Sequence, residues 1–279
     1  MGAVQDGGAP EPINPVMDTL AVILVRAGTK GLPDKCVLPL CGRPVLAYTI
    51  GHAQESRYVS AVVLTTDSAP AAAIARSAGV WVVDRPPELA TDTAPVVAAV
   101  RHAVESYEVR TGTQYDAVVV LYGNVPVREY GIIDQCVDLL DTTGCDSVRT
   151  VAPVTKQHPD WLHRLDGDRL VQYRPNCIDR RQDLEPLYYH DGAVVVVRRD
   201  WLFVPEAAHD PHAFFGSDRR AVVQREEDTV DIDTSADFYR AEAVMRIRSE
   251  AAFAELPSAG HRRPPFTAAV ACVNGHGRY

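Results

Sequence analysis

The chain has 279 residues, 46% of them apolar, enough for one large α/β domain or two small ones with a substantial buried core. Lys plus Arg number 28 against 37 Asp plus Glu, a formal charge of −9. That balance excludes a general nucleic-acid binder, whose attraction to phosphate would have to come from a local basic patch.

Residues 1–17, MGAVQDGGAPEPINPVM, are rich in Gly and Pro without periodicity and read as a disordered tail. Residues 257–279 read the same way, leaving one domain over 18–256. TLAVILVR is a continuous apolar run, as expected of a strand buried on both faces. PVLAYTIGHAQES follows with helical spacing and Pro44 near its start. Then come the strand SAVVLTT, a helix over about 69–78, the strand VWVVD, a helix over about 94–108 and the strand YDAVVVLY. A helix over about 130–141 and the strand CDSVRTV complete the series. Repeated strand–helix units predict an α/β fold with a mostly parallel sheet wrapped by helices, ligands sitting beyond the carboxyl ends of the strands. After Pro153 the order changes: LHRLDGDRLVQY reads as a hairpin around Asp166-Gly167-Asp168, followed by a polar, Arg-rich stretch. Residues 153–190 are expected to be an insertion, either a lid over the site or an interface. GAVVVVRR reads as a strand, AVVQREEDTVDID as the last strand region and SADFYRAEAVMRIR as an amphipathic closing helix. With no charged-then-apolar leader and no long apolar run, no membrane contact is expected and the chain reads as cytoplasmic. Cys36, Cys41, Cys136, Cys145, Cys177 and Cys272 lack C-x-x-C spacing, so neither a zinc site nor a disulfide framework is expected.

Chemistry gathers in three segments. In LVRAGTKGLPDK a glycine-containing turn ends a buried strand, so backbone N–H groups can approach phosphate oxygens while Arg26, Lys30 and Lys35 surround them. The bland alternative is a solvated basic loop. In DTVDIDTSADFYRAE, Asp231 and Asp233 point to one face of an extended segment, with Ile232 opposite. Paired carboxylates repel unless a cation joins them, and Mg²⁺ with an oxygen-rich shell suits that place beside a nucleoside triphosphate. The alternative for Asp233 is helix initiation, since Thr234 with Asp237 resembles a capping box. In DRPPELATDTAPVV, Asp92 or Thr93 could simply cap the following helix.

Together the segments resemble the cytidylyltransferases that activate sugar acids as CMP conjugates: the CMP-sialic acid, CMP-pseudaminic acid and CMP-Kdo synthetases. AVILVRAGTKGLPDK looks like that family's first strand and nucleotide loop, and RPPELATDTA like its cytidine-side loop. RRQDLEPLYYHDGAVVVV looks like its sugar-side segment, DIDTSADF like its metal motif, and VVLTTDS with Asp67 also fits. The resemblance runs from about Ala21 to Glu242, with the motifs in the family's order. It implies a nucleotide-diphospho-sugar transferase-like (Rossmann-like) fold, a homodimer, and transfer of CMP from CTP to the anomeric hydroxyl of a 2-keto sugar acid. By the same resemblance Arg26, Lys30, Lys35 and Asp233 would be catalytic, with Ala27, Gly28, Thr29, Arg85, Asp92 and Ala94 around the nucleotide. Tyr122, Asn124, Arg181, Gln182 and Asp191 would line the sugar site, and Asp231 with Asp233 would bind Mg²⁺.

The sugar side departs from the pattern. LYGNVPVR stands where sialate enzymes show LQPTSPLR, placing Tyr122 at the family's sugar-contacting Gln. Gly123, Asn124 and Pro126 echo the QGDEP of the CMP-Kdo branch with Asn for Asp. Val96 replaces a hydroxyl residue, Cys36 an Asn, and Asp191 the Asn of an Asn-Gly pair; Asp191 is either a charge beside the acceptor or a turn residue. Two alternatives follow: a nucleotidyltransferase of the same fold with a different sugar or polyol acceptor, and a catalytically silent nucleotide-sugar-binding homologue.

Overall fold

The first apolar run forms strand β1, Thr19–Leu24, in which every residue is buried, and its two faces feed two separate cores. A computed structural model of the chain describes residues 17–28, 30–204 and 212–254, the side chains of 251–254 excepted. After β1 come a short antiparallel ribbon, β2 (Pro39–Leu40) with β3 (Arg43–Pro44), then α1 (Val45–Glu55), β4 (Val59–Thr66), α2 (Ala69–Ser77) and β5 (Trp81–Asp84). Next are α3 (Val96–Thr111), β6 (Ala117–Tyr122), α4 (Ile132–Thr143) and β7 (Ser147–Pro153). The hairpin β8 (His163–Asp166) and β9 (Arg169–Gln172) precedes β10 (Tyr188–Arg198), α5 (Arg199–Leu202), β11 (Arg219–Val223) and α6 (Ser235–Ala254).

Seven strands make one sheet in the order β11-β7-β10-β6-β1-β4-β5. Strand β10 alone opposes its neighbours: it is antiparallel to β6 and β7, while β1 pairs in parallel with β4 and β6, β4 with β5, and β7 with β11. The carboxyl ends of β1, β4, β5, β6 and β7 therefore share one edge, where loops can converge on a ligand. Along β1, Leu20, Val22 and Leu24 meet Val97, Val100, Ala103 and Val104 of α3. Ala21 and Ile23 point the other way, into a core shared with Leu46 of α1, Ala71 of α2 and Leu140 of α4. The result is three layers; truncating fully buried Leu20 or Ile23 to Ala would cost about 2–5 kcal/mol. A smaller core of Leu40, Val45, Val127, Val230, Ile232 and Ala241 seats α6 against the sheet edge.

The predicted strands and helices are found with shifted ends, except that the last strand region is only partly a strand. Helix α3 begins at Val96 and not near Ala94, because Pro95 occupies its N-cap and a residue preceding proline is driven out of helical conformation. Helix α4 begins at Ile132, after Gly131 at φ 72°. The last strand region breaks: β11 ends at Val223, a 3₁₀ turn spans Glu226–Asp228, and Val230 makes only a bridge to Val127. Buried Asp228 accounts for the break, since its carboxylate takes hydrogen bonds from Arg225 and Arg248. Of the N-terminal segment only Met17 is described, and it is buried in the main core; the remaining tail residues 1–16 and the expected C-terminal tail lie outside the described residues.

Among the described residues the β8–β9 hairpin forms a two-stranded sheet of its own. It rises from the sheet's functional edge, between the end of β7 and the start of β10. Leu165 and Leu170 on it are 74% and 68% exposed, an apolar display that a lone chain leaves in water. Among the described residues no helix is long and apolar enough to cross a membrane.

Candidate active site

The end of β1 and the loop that leads into α6 meet at this edge. Beyond β1 the chain turns through Gly28 at φ 67°, a left-handed conformation open to glycine, and the Ala27 N–H donates to the Asp67 carboxylate at 2.7 Å. Thr29 lies outside the described residues. Gly31 is required for a second reason: a Cβ there would stand 2.3 Å from the carbonyl oxygen of Asp233. Lys35 is nearly buried, and its Nζ reaches the Asp233 carboxylate at 2.5 Å across 198 residues of sequence. The basic loop and the acid motif are thus one structure.

Asp231 and Asp233 both line the cavity, while Ile232 between them is fully buried against the α6 core. Asn124 fastens this segment: its backbone carbonyl accepts from the Ile232 N–H at 3.0 Å, and its Nδ2 donates to the Ile232 carbonyl at 3.1 Å and to Asp231 Oδ1. The amide nitrogen, not the oxygen, faces the acid. Burial first, and the Asp233 charge second, push the Asp231 carboxyl up to about 6. Helix initiation is handled next door, where Asp237 accepts from the Thr234 N–H and hydroxyl and donates its own N–H to Thr234 Oγ1. The Asp233 carboxylate is left to Lys35.

On the opposite wall Arg85 is anchored by Nη2 to the Thr65 carbonyl at 2.8 Å and by Nε to the Thr65 hydroxyl. Burial lowers the pKa of this guanidinium, helped by the nearby Arg26. Asp92 does not cap α3, whose N-cap is Pro95. It pairs with Arg26 and with Lys30, each at 2.7 Å, and these bonds, Lys30's first, hold its carboxyl below the ordinary range. Together these groups, with Ala94, Val96 and Tyr122, enclose an open cavity of about 540 Å³. Cys36 also lines it, with burial pushing its thiol up to about 12, which leaves it an inert wall.

Of the sequence-predicted site residues, Arg26, Lys30, Lys35, Arg85, Asp92, Ala94, Tyr122, Asn124, Asp231 and Asp233 line this cavity. Ala27 and Gly28 belong to the same loop but not to its wall. Arg181 and Gln182 sit on an exposed 3₁₀ turn of the insertion, outside the wall. Asp191 is outside it too: in the bulge that interrupts β10 its carboxylate accepts from the Thr150 hydroxyl, the Ala193 N–H and Gln224 Nε2. Its charge is spent on the scaffold.

Arg128 was not singled out by the sequence reading. It is buried behind the cavity, and it donates to the carbonyls of Ala193, Tyr122 and Val125 and to the Thr49 hydroxyl. Those bonds lock the β6 end to α1 and β10. The available signal was a lone basic residue inside the apolar VPVREYGII.

A mixed sheet whose leading strand ends in a basic, glycine-containing loop, with twin acids lining the same cavity, defines an α/β protein with its candidate ligand site beyond the strands' carboxyl ends. The chain belongs to the cytidylyltransferase family: the family model described as "Cytidylyltransferase" matches residues 20–172. It is 32% identical over 222 residues to the N-acylneuraminate cytidylyltransferase of Escherichia coli O18:K1:H7, an alignment covering 78% of this chain and 50% of that one. It is 29% identical over 246 residues to the CMP-N,N′-diacetyllegionaminic acid synthase of Legionella pneumophila, covering 84% of this chain and 99% of that one. The chain therefore spans about half the length of the N-acylneuraminate enzyme and nearly all of the legionaminic acid enzyme. Among solved structures, a CMP:2-keto-3-deoxy-manno-octonic acid synthetase complexed with CTP superposes with TM-score 0.59 at 17% identity, covering 83% of this chain and 99% of the other. The 4-diphosphocytidyl-2C-methyl-D-erythritol synthase of Anaerococcus prevotii gives TM-score 0.53 at 15% identity over 84% of this chain and all of that one. The fold is nucleotide-diphospho-sugar transferase-like.

Proposed function

We propose that the chain transfers CMP from CTP to the anomeric hydroxyl of a 2-keto sugar acid and releases pyrophosphate, with Mg²⁺ as cofactor. The observation that carries this reading is the 2.5 Å bridge from Lys35 to Asp233, which makes the cationic loop and the paired acids two walls of one cavity. In the reaction the acceptor oxygen forms a bond to the α-phosphorus as the bond to the β-phosphate oxygen breaks. An anionic acceptor must approach a more anionic partner, so catalysis rests on neutralisation and alignment. Arg26, Lys30 and Lys35 would take the phosphates and the charge of the departing pyrophosphate, and Arg85 with Ala94 would face the cytosine. Tyr122 would bound the acceptor side.

The residues present suit Mg²⁺. Asp231 and Asp233 offer hard oxygen donors, and burial first and the Asp233 charge second raise the Asp231 carboxyl, a cost that a cation between the two would relieve. Among the described residues no group of three or more His, Cys, Asp or Glu side chains converges, so phosphate and water oxygens would complete the shell. When bound, the metal would neutralise phosphate charge and help align the triphosphate.

A homodimer is part of the proposal, with the exposed apolar β8–β9 hairpin as its self-contact. So is a cytoplasmic site of action, where CTP is made; the five described cysteines are all free, as a reducing compartment keeps them.

The test is pyrophosphate release with each of the four NTPs, Mg²⁺ and a panel of N-acetylneuraminic, N,N′-diacetyllegionaminic and 2-keto-3-deoxy-manno-octonic acids. CTP-specific release with an acid, lost in Asp233→Asn, is the expected result. Release only with a neutral sugar or polyol would shift the reading to a different acceptor, and CTP binding without turnover would mark a silent homologue.

A further inference from the structure

Arg149 is a half-buried charged side chain on the sheet's α3 face. It lies on β7, where its register partner is Val195 of β10, itself the partner of Val120 of β6. Cross-strand partners point to the same face, so Arg149 shares the α3 face of the sheet with Val120, and with Tyr122 two residues on toward the cavity edge. Adjacent strands are about 4.8 Å apart, so the roughly 10 Å between β7 and β6 is within reach of an arginine and a tyrosine meeting across β10. The electrostatics agree: the Arg149 and Tyr122 side chains each feel the other's charge.

The surroundings of this guanidinium are aromatic and basic. Its face stacks on Phe215, with Cζ 3.2 Å from the ring centre. Its Nη1 donates to His190 Nε2 at 2.8 Å, and its Nε is buried without a hydrogen-bond partner among the described residues. None of the described acids forms a salt bridge with it. Burial lowers its pKa to about 10, the neighbouring Arg219 adds repulsion, and burial and Arg149 itself lower the pKa of the His190 imidazole. Asp191, next to His190 in the chain, is bonded to Thr150, Ala193 and Gln224. Stacking covers the face of the guanidinium, while Nη2 makes no hydrogen bond among the described residues and Nε has no partner, the donor edge that suits a carboxylate.

We infer that Arg149, with His190 beside it, is the acceptor-specificity residue of this chain and binds the carboxylate of the sugar acid. The inference rests on the proposed function and narrows it. On the phosphate side, Arg26, Lys30 and Lys35 follow β1; Arg149 lies beyond Tyr122 in the opposite direction. Tyr122 feels Arg149 and also Asp231. In a 2-keto sugar acid one carbon carries both the nucleophilic hydroxyl and the carboxylate. With that carbon against Tyr122, the hydroxyl can turn to the Asp231 end while the carboxylate turns to Arg149. A neutral sugar has nothing to place there.

The experiment compares wild type, Arg149→Gln and Arg149→Lys in pyrophosphate release with CTP, using each active acid of the panel and its C1 carboxamide. Wild type should prefer the acid over the amide by roughly 30-fold in kcat/KM, the scale of one charge-assisted carboxylate contact. Arg149→Gln should raise the KM for the acid by a similar factor, leave the KM for CTP within about twofold, and erase the acid-over-amide preference; Arg149→Lys should restore part of it. A merely structural role would disturb the CTP KM and thermal stability while leaving that preference intact, and this result overturns the assignment. Should Arg149→Gln fail to fold, the wild-type acid-to-amide ratio and the Lys variant decide: equal use of acid and amide by wild type refutes the inference. A wild type that turns over CTP with none of the acids fails the proposed function and takes this inference with it. A wild type active on acids, whose variants keep the preference, fails the inference alone.

Discussion

The Asp231 carboxyl stands at about 6, raised from 3.8 by burial and by Asp233, and this shift makes the acid motif a measurable burden on the folded chain. A carboxyl raised by folding prefers its protonated form in the native state. Below about pH 4 both states are protonated and nothing is lost; as pH rises from 3.8 to about 6 the unfolded chain ionises first, and stability falls. A shift of about two units corresponds to roughly 3 kcal/mol, and because the group faces a cavity open to water, screening reduces this to about 1–2 kcal/mol. Asp231→Asn removes the ionisation while keeping an oxygen to accept from Asn124 Nδ2. In metal-free buffer at pH 7.5 the variant should therefore melt about 3–6 °C above wild type, with the gap closing below pH 4. Mg²⁺ with CTP should stabilise wild type far more than the variant, and the variant should be inactive. Thermal melts across pH 3.5–8 in EDTA check the claim. A variant no more stable than wild type at pH 7.5, or a gap that ignores pH, would refute the reasoning.

Gly31→Ala sets a methyl against the Asp233 carbonyl, so it should lose about 1–3 kcal/mol in urea melts and cut kcat/KM for CTP by up to roughly 100-fold through misplacement of the loop. Arg128→Met leaves the carbonyls of Ala193 and Tyr122 without their donor and should cost about 3 kcal/mol, read as a lower urea midpoint. Asp191→Ala strands Thr150, Gln224 and the Ala193 N–H, so it should cost about 2–3 kcal/mol in the same assay, with the acceptor KM of the surviving folded enzyme little changed. Under the proposed homodimer, Leu170→Asp places a charge on the exposed hairpin and should give a monomer in light scattering where wild type gives a dimer.

Much of this architecture is readable in the sequence because a parallel sheet demands buried runs. TLAVILVR could only be a strand covered on both faces, and its six ordered residues are all buried. The alternating units then fix which edge carries the loops. The two charged walls are legible for a related reason: three cations after a strand, or two acids two residues apart, are local patterns. Arg128 and Arg149 are not local patterns. Each is a lone basic residue in an apolar segment, and its meaning comes from neighbours across strands, Ala193 for one and Phe215 with His190 for the other. Asp191 misleads in the same way. Next to Gly192 it reads as a turn residue or a pocket charge, and only the register of β10 on β7 brings Thr150 under its carboxylate. The break after β11 likewise depends on Arg248, twenty residues beyond Asp228.

The cavity's own ion pairs say what would fill it. Asp92 occupies Arg26 and Lys30, and Asp233 occupies Lys35, so these basic groups of the loop are neutralised from within. Among the described residues Asp231 accepts a hydrogen bond from the Asn124 amide and forms no ion pair. A polyanion entering alone would gain the cations from Asp92 but would face two carboxylates across a few ångströms. A divalent cation entering alone would relieve Asp231 and Asp233 but would meet Lys35 beside them. Each obstacle is removed by the other ligand. Under the proposed function, then, CTP and Mg²⁺ strengthen one another's binding by the same factor, as linkage requires. The apparent redundancy of charge becomes a device for admitting them as a pair.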